Sequence, residues 1–361
     1  MSKIHRSIAE LVGNTPLVEL TNYQARHGLK AHIIGKLEYL NPSGSVKDRL
    51  AQALIEEGRA NGDITDGSTL IDVTSGNTGI SLAALGHAQG LKFIPYLEPG
   101  TTQERIDIFE GYGLDTHSFT DIEEVADFEE KGLVPDDLVR GITRIAEEQG
   151  YYYAGQTVRE SNQEAHYRTT GPEIWEDTDG HVDYFVALGG TAGTLVGVGR
   201  YLREKNPDVK IIGVHGASSS RPDSEDFTGN IIDGTLPLGG VSEEFLPTLV
   251  KSNRDNGFRF DEIIDVRAED AYETAQATAE SDGLFLGTSA AAALTAAIEV
   301  AKRPEAAGKN IVVIYADNGF KYLSTGLYKR KKALSRDALP SAVDTDTAAD
   351  TETAAVQAAA V

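Results

Sequence analysis

The sequence predicts an α/β protein built on parallel sheets. Three observations carry this. Strand-like and helix-like runs alternate through most of the 361 residues, several strand candidates are continuously apolar, and loops rich in Gly, Ser and Thr stand where strands run into helices. Alternation is the pattern of βαβ units. Strands covered by helices on both faces lose the polar–apolar alternation of half-exposed strands.

In order along the chain, the strand candidates are residues 33–37, 69–73, 92–96, 115–119, 151–154, 184–188, 210–215, 262–266 and 310–315. Helical spacing, with apolar residues three and four apart, runs over 46–60, 77–89, 103–111, 137–149, 164–177, 193–204, 268–281 and 290–301. No internal repeat or heptad pattern interrupts this order. Two segments depart from it. Residues 121–137 are dense in carboxylates yet carry Ile122, Val125, Phe128 and Leu133, and read as a solvated surface insertion in preference to a short amphipathic lid. From Ser335 the chain becomes Ala, Thr and Asp without apolar period, so an acidic disordered tail is expected over 335–361.

Composition narrows the function. Acidic residues (56) outnumber Lys and Arg (33), for a net charge of -23, which argues against nucleic acid or an anionic membrane as partner. The start, MSKIHRSIAELVGNTPL, has no apolar signal region, and no stretch approaches the roughly eighteen apolar residues of a membrane span, so a cytoplasmic protein is expected. There is no cysteine, which removes disulfides, thiolate metal sites and cysteine nucleophiles. The eight histidines are scattered, with no pair at ligand spacing, and no metal site is expected.

The segment Asn41-Pro-Ser-Gly-Ser-Val-Lys47-Asp-Arg49 delivers one lysine from a strand, through a Pro/Gly turn, to the start of a helix. There the helix dipole disfavours the ammonium, and a neutral lysine is a nucleophile towards aldehydes. A lone lysine is more often a solvated surface residue; only partners elsewhere give this one meaning.

Three loops supply them. Thr74, Ser75, Gly76, Asn77 and Thr78 bring hydroxyls, an amide and unpaired helix-start N–H groups to one spot suited to a carboxylate or phosphate. Ordinary capping needs one such residue, not five. Gly190, Thr191, Ala192, Gly193 and Thr194 follow a buried strand and form a phosphate cradle in pattern. The loop fits neither the dinucleotide fingerprint nor a P-loop; the alternative is a tight turn without ligand. Ser289, in Gly287-Thr-Ser-Ala-Ala, tempts towards a hydrolase elbow, but the last histidine is His215, so no base lies downstream. Ser289 is then a helix cap, a neutral hydrogen-bond partner for a ring, or both. An amine of lowered pKa, a phosphate cradle, a carboxylate loop and a hydroxyl, all at carboxyl ends of parallel strands, are what pyridoxal 5'-phosphate and an amino-acid substrate require.

On these residues, and on Val12-Gly-Asn-Thr-Pro-Leu-Val18, Thr169-Thr-Gly-Pro-Glu-Ile-Trp-Glu176 and Tyr322-Leu-Ser-Thr325, the chain resembles the cysteine synthase and cystathionine β-synthase family of fold type II pyridoxal-phosphate enzymes, over residues 4–330. The resemblance implies two parallel-sheet α/β domains of the tryptophan synthase β-like kind. Residues 1–45 and 155–330 would form the larger, and 46–154 the smaller, carrying the lysine and the carboxylate loop. It implies that Lys47 holds the cofactor and shuttles the α-proton, Asn77 bonds the ring oxygen, Gly190 to Thr194 bind the phosphate and Ser289 meets the pyridine nitrogen. The substrate carboxylate falls to Gln156 with Thr74, Ser75, Gly76 and Thr78. The function implied is β-replacement on an activated serine, first of all cysteine synthesis from O-acetylserine or O-phosphoserine and sulfide, by a homodimer. Cystathionine β-synthase-type or other β-replacement, serine/threonine dehydration, or a non-catalytic cofactor-binding partner protein are the alternatives. Departures fall near the substrate: Gln156-Thr-Val-Arg-Glu-Ser-Asn162, Ser289-Ala-Ala291 and the unmatched loop over 216–246. Arg159 there suggests a phosphorylated or carboxylate-bearing substrate.

Overall fold

The computed structural model describes residues 4–74, 76–98, 100–126, 135–222, 224–243 and 246–329. All nine expected strands form: β2 (His32–Leu37), β3 (Thr69–Thr74), β4 (Lys92–Leu97), β5 (His117–Ser118), β6 (Tyr152–Tyr153), β7 (Tyr184–Leu188), β8 (Lys210–Gly216), β9 (Glu262–Val266) and β10 (Asn310–Tyr315). A tenth, β1 (Leu17–Glu19), was not expected. It is three residues long and pairs antiparallel with β2 at the sheet edge, Leu17 opposite Lys36, too short for a period to show in sequence.

The strands make two sheets, in the orders β1-β2-β10-β7-β8-β9 and β5-β4-β3-β6. Apart from β1–β2 every pairing is parallel. The apolar strands explain themselves by alternation between two cores. Ile311 and Val313 pack into one cluster with the helices Ala268–Asp282 and Thr288–Ala301, while Val312 and Ile314 join Leu195, Val198 and Leu202 of the helix Gly193–Lys205 on the other face. In the second sheet Leu70 faces the helices Lys47–Asn61 and Asn77–His87, and Ile71 and Val73 face Ile142 and Ala146 of the helix Pro135–Gln149. Both sheets are therefore covered on both faces, the two-sheet α/β fold expected. Contacts gather the chain up to Tyr328 into one compact unit.

Three differences have local causes. The helix expected over 164–177 is two, Ser161–Arg168 and Thr170–Asp177, broken at Thr169 (φ -125°, ψ -69°). Pro172, in the first turn of the second, lacks the N–H that would continue the ladder. Helices Thr21–His27 and Thr248–Asp255 were not anticipated; they are short and mostly polar. Ile122 and Val125 are buried against Phe119 and Ile142, so the described start of the 121–137 segment is packed and not a solvated insertion. Its remainder up to 134, and the expected tail, lie outside the described residues.

A buried ion network ties three of the quoted motifs together. Arg49 of the Lys47–Asn61 helix donates from Nε and Nη2 to Glu38 (2.7 and 2.9 Å) and from Nη1 and Nη2 to Glu173 (both 2.7 Å). Lys36 Nζ reaches Glu173 at 2.9 Å, and Thr15 donates to Glu38 at 2.6 Å. The helix carrying Lys47 is thus pinned within its first turn to the turn that follows β2 and to the helix Thr170–Asp177.

Candidate active site

Lys47 is the first residue of its helix. It lines a cavity of about 280 Å³ with Asn77, Thr78, Gln156, Gly190, Thr191, Ala192, Gly193, Thr194 and Ser289. The cavity stands at the carboxyl ends of β3, β4, β7 and β10, where strand-to-helix loops supply polar groups. Ten of the thirteen expected site residues therefore meet in one place. Thr74 and Gly76 do not line it. Thr74 Oγ1 accepts from the N–H groups of Gly76 and Gly79 (3.1 Å each) and braces the loop from within. Gly76 has φ 144°, and a Cβ there would fall 2.3 Å from Arg105 Cδ. Ser75 lies outside the described residues.

The Lys47 amine has no hydrogen-bond partner among the described residues, and its pKa is lowered to about 8. Burial is the main cause, opposed by the charges of Asp317 and Asp72; this replaces the helix dipole as the chief reason. The free amine is the nucleophile, so the rate at which the apoprotein captures pyridoxal phosphate should rise about tenfold per pH unit below 8 and level off above it. Stopped-flow absorbance of reconstitution between pH 6 and 10 would read this directly; a rise continuing to pH 10 would contradict it.

The glycine loop has cradle geometry. Ala192 is left-handed (φ 68°) at the start of the helix Gly193–Lys205, leaving its first N–H groups open to the cavity. A Cβ at Gly190 would fall 2.5 Å from the Gly234 carbonyl, and one at Gly193 only 1.8 Å from Asn162 Oδ1. Both glycines therefore let the loop pack tightly against Gly234 and Asn162. From behind, Asn162 Nδ2 donates to Thr191 Oγ1 (2.8 Å) and His166 Nε2 lies 3.1 Å from Thr194 Oγ1. Burial holds the His166 pKa well down, with Arg49 and Lys47 adding to it, so the ring is neutral there.

Ser289 is the second residue of the helix Thr288–Ala301, whose cap is Gly287 without a side-chain bond. Ser289 therefore does not cap; it lines the cavity as a neutral residue. Asn77 donates from Nδ2 to Asp317 Oδ2 (2.7 Å) and accepts from Lys321 Nζ at Oδ1 (2.8 Å), which fixes its orientation. Gln156 Nε2 donates to the Val73 carbonyl (2.7 Å), and Thr78 Oγ1 donates to Gln156 Oε1 (2.5 Å).

Several residues in the wall or directly behind it escaped the sequence reading. Asp317 is fully buried, and its Oδ2 also accepts from Tyr322 (2.6 Å). Arg105 Nη2 bonds Tyr322 Oη (2.7 Å), pairs with Asp233, and lies over the Tyr322 ring at 4.7 Å. Glu98, at the end of β4, lines the same cavity. A charged residue just past a parallel strand was the one signal available for it. Arg159 does not reach the cavity. Its guanidinium is held by the carbonyls of Ala154 (2.9 Å) and Tyr153 (3.0 Å), by Glu57 (3.3 Å) and over the Tyr152 ring. Arg159→Ala should therefore change kcat/KM for O-acetylserine and O-phosphoserine equally. It should cost about 1–2 kcal/mol of stability in denaturant titration; a selective loss with O-phosphoserine would refute this.

A family model described as pyridoxal-phosphate dependent enzyme matches residues 8–317. The chain belongs to this family. Among curated relatives, an O-acetylserine dependent cystathionine beta-synthase of Bacillus subtilis is 33% identical over 326 residues, covering 89% of this chain and 97% of the relative. Cysteine synthase B of Pseudomonas aeruginosa is 33% identical over 337 residues, covering 91% and 99%. The crystal structure of cysteine synthase from Entamoeba histolytica superposes with a TM-score of 0.74 at 33% identity, covering 92% and 93%. As a member of the family the protein is a pyridoxal-phosphate-dependent enzyme, and the cavity fits that cofactor: an amine of lowered pKa with no hydrogen-bond partner among the described residues, a glycine loop opening a helix start, and a serine in the lining.

Proposed function

We propose that this pyridoxal-phosphate enzyme carries out β-replacement on an activated serine, making cysteine from O-acetylserine or O-phosphoserine and sulfide. The single observation behind the reading is that Lys47, the Gly190–Thr194 cradle and Ser289 share one cavity with Thr78 and Gln156. The cofactor supplies an aldehyde that captures amines and a ring that takes up the electron pair left when a Cα proton is lost.

In this reading Lys47 Nζ holds the cofactor and, once freed, takes the proton from the substrate Cα. The Gly193 and Thr194 N–H groups and the threonine hydroxyls bind the phosphate. Asn77, fixed by Asp317 and Lys321, orients the ring. Ser289 offers a hydroxyl where a carboxylate would keep the ring nitrogen protonated, which limits delocalisation and favours prompt departure of a β-leaving group. Thr78 and Gln156 receive the substrate carboxylate, with the Thr74–Gly76 turn shaping the loop. The same reading takes residues 46–154 as the smaller domain, and the protein as a cytoplasmic homodimer.

Titration of the holoenzyme with O-acetylserine, O-phosphoserine and serine, followed by sulfide, tests the proposal. A change in cofactor absorbance with a donor, reversed by sulfide with release of cysteine, is the expected result. Release of pyruvate and ammonia alone would point to a dehydratase, and no response to any donor to a cofactor-binding protein without turnover.

A further inference from the structure

Within the cavity, opposite charges do not balance on the wall away from the cradle. Arg105, Asp233 and Glu98 all line it. Arg105 and Asp233 form an ion pair, with Tyr322 on the same guanidinium nitrogen. Asp233 is fixed further, its N–H donating to Thr288 Oγ1 at 3.1 Å. Glu98 is left over: its carboxylate has neither hydrogen bond nor ion pair among the described residues. Burial first, then the charge of Asp233, raise its pKa to about 7, with Arg105 opposing. An uncompensated carboxylate in a confined cavity repels anions and attracts cations that reach it.

We propose that Glu98 is a specificity-determining residue that selects, for the second half of the reaction, a nucleophile carrying an ammonium group over an anionic or uncharged one. The inference rests on the β-replacement reading. The partner chemistry follows from charge: Arg105 is already paired with Asp233, so an incoming anion meets one net negative charge, whereas an amino thiol places its ammonium on Glu98 and leaves its sulfur free to react. Hydrosulfide remains a substrate because it is small, but it gains nothing from this wall.

The test uses the holoenzyme at pH 8.5, where Glu98 is ionised, loaded with O-acetylserine. Second-order rate constants are compared for cysteamine and for 2-mercaptoethanol, which differ in the ammonium. In the wild type cysteamine should be favoured by about tenfold beyond the ratio set by thiol acidity; Glu98→Gln should abolish that preference, and Glu98→Asp should keep most of it. Binding of S-methylcysteamine, whose capped sulfur cannot add, should weaken by a similar factor in Glu98→Gln when measured by calorimetry. Retained cofactor absorbance shows that the variants are folded. Equal preference in wild type and Glu98→Gln, with unchanged S-methylcysteamine binding, overturns the proposal. If no donor changes the cofactor absorbance of the wild type, the β-replacement reading falls, and the calorimetry alone still decides for or against Glu98.

Discussion

Replacement of Lys47 by alanine is expected to lower β-replacement turnover by about 10⁴-fold or more, the loss usual when a covalent-catalysis nucleophile that also moves a proton is removed. The reason is positional. Lys47 is the one lysine among the described residues that line the cavity, and its pKa is lowered to about 8. Nothing else there can do both tasks: Ser289 is a neutral hydroxyl, Arg105 is paired with Asp233, and His166 is buried behind Thr194. Lys47→Ala should still bind the cofactor through the cradle, with its absorbance reverting to that of the free aldehyde. Steady-state cysteine formation and the absorbance spectrum check both statements, and residual turnover within tenfold of wild type would remove Lys47 from its assigned role.

The largest stability effect is expected at Arg49. Truncation to alanine leaves Glu38, whose side chain is 0% exposed, and Glu173 without their guanidinium partner, and breaking a buried pair in this way costs about 3–5 kcal/mol. Thermal or urea unfolding of the apoprotein measures it; a loss below 1 kcal/mol would show that the network relaxes or hydrates. The same network predicts acid sensitivity. Burial alone would raise the Glu173 pKa, but Arg49 and Lys36 hold it down to about 2 from the ordinary 4.5. A carboxylate with a depressed native pKa adds stability above its unfolded pKa, so this contribution is complete above pH 4.5 and is lost as pH falls from there towards 2. In Arg49→Ala the slope of stability against pH over this window should flatten.

These two residues stand two apart in sequence, yet they were legible to different degrees. Lys47 could be singled out because turn chemistry, helix start and the three polar loops are local patterns, and local patterns survive in a linear reading. Several strands were found for the same reason: continuously apolar runs of five or six residues follow from burial on both faces. What failed was short or non-local. Strand β1 has three residues, and the break at Thr169 depends on one proline. Arg159, conspicuous beside Gln156, turned out to be spent on the carbonyls of Tyr153 and Ala154.

The sequence by itself determined the parallel α/β class, the cofactor and nine of the residues that share the cavity, because each depends on hydrophobic period or on the composition of a single strand-to-helix loop, while Gln156 was reached through the family resemblance. Only the tertiary structure decided which charges meet. That Arg49 joins Glu38 to Glu173, that Asp317 holds Asn77 and Tyr322, and that the Glu98 carboxylate finds no partner among the described residues beside the Arg105–Asp233 pair are facts about residues far apart in the chain. Coulomb interactions and desolvation act through space, and their outcome is set when folding removes the water between those groups.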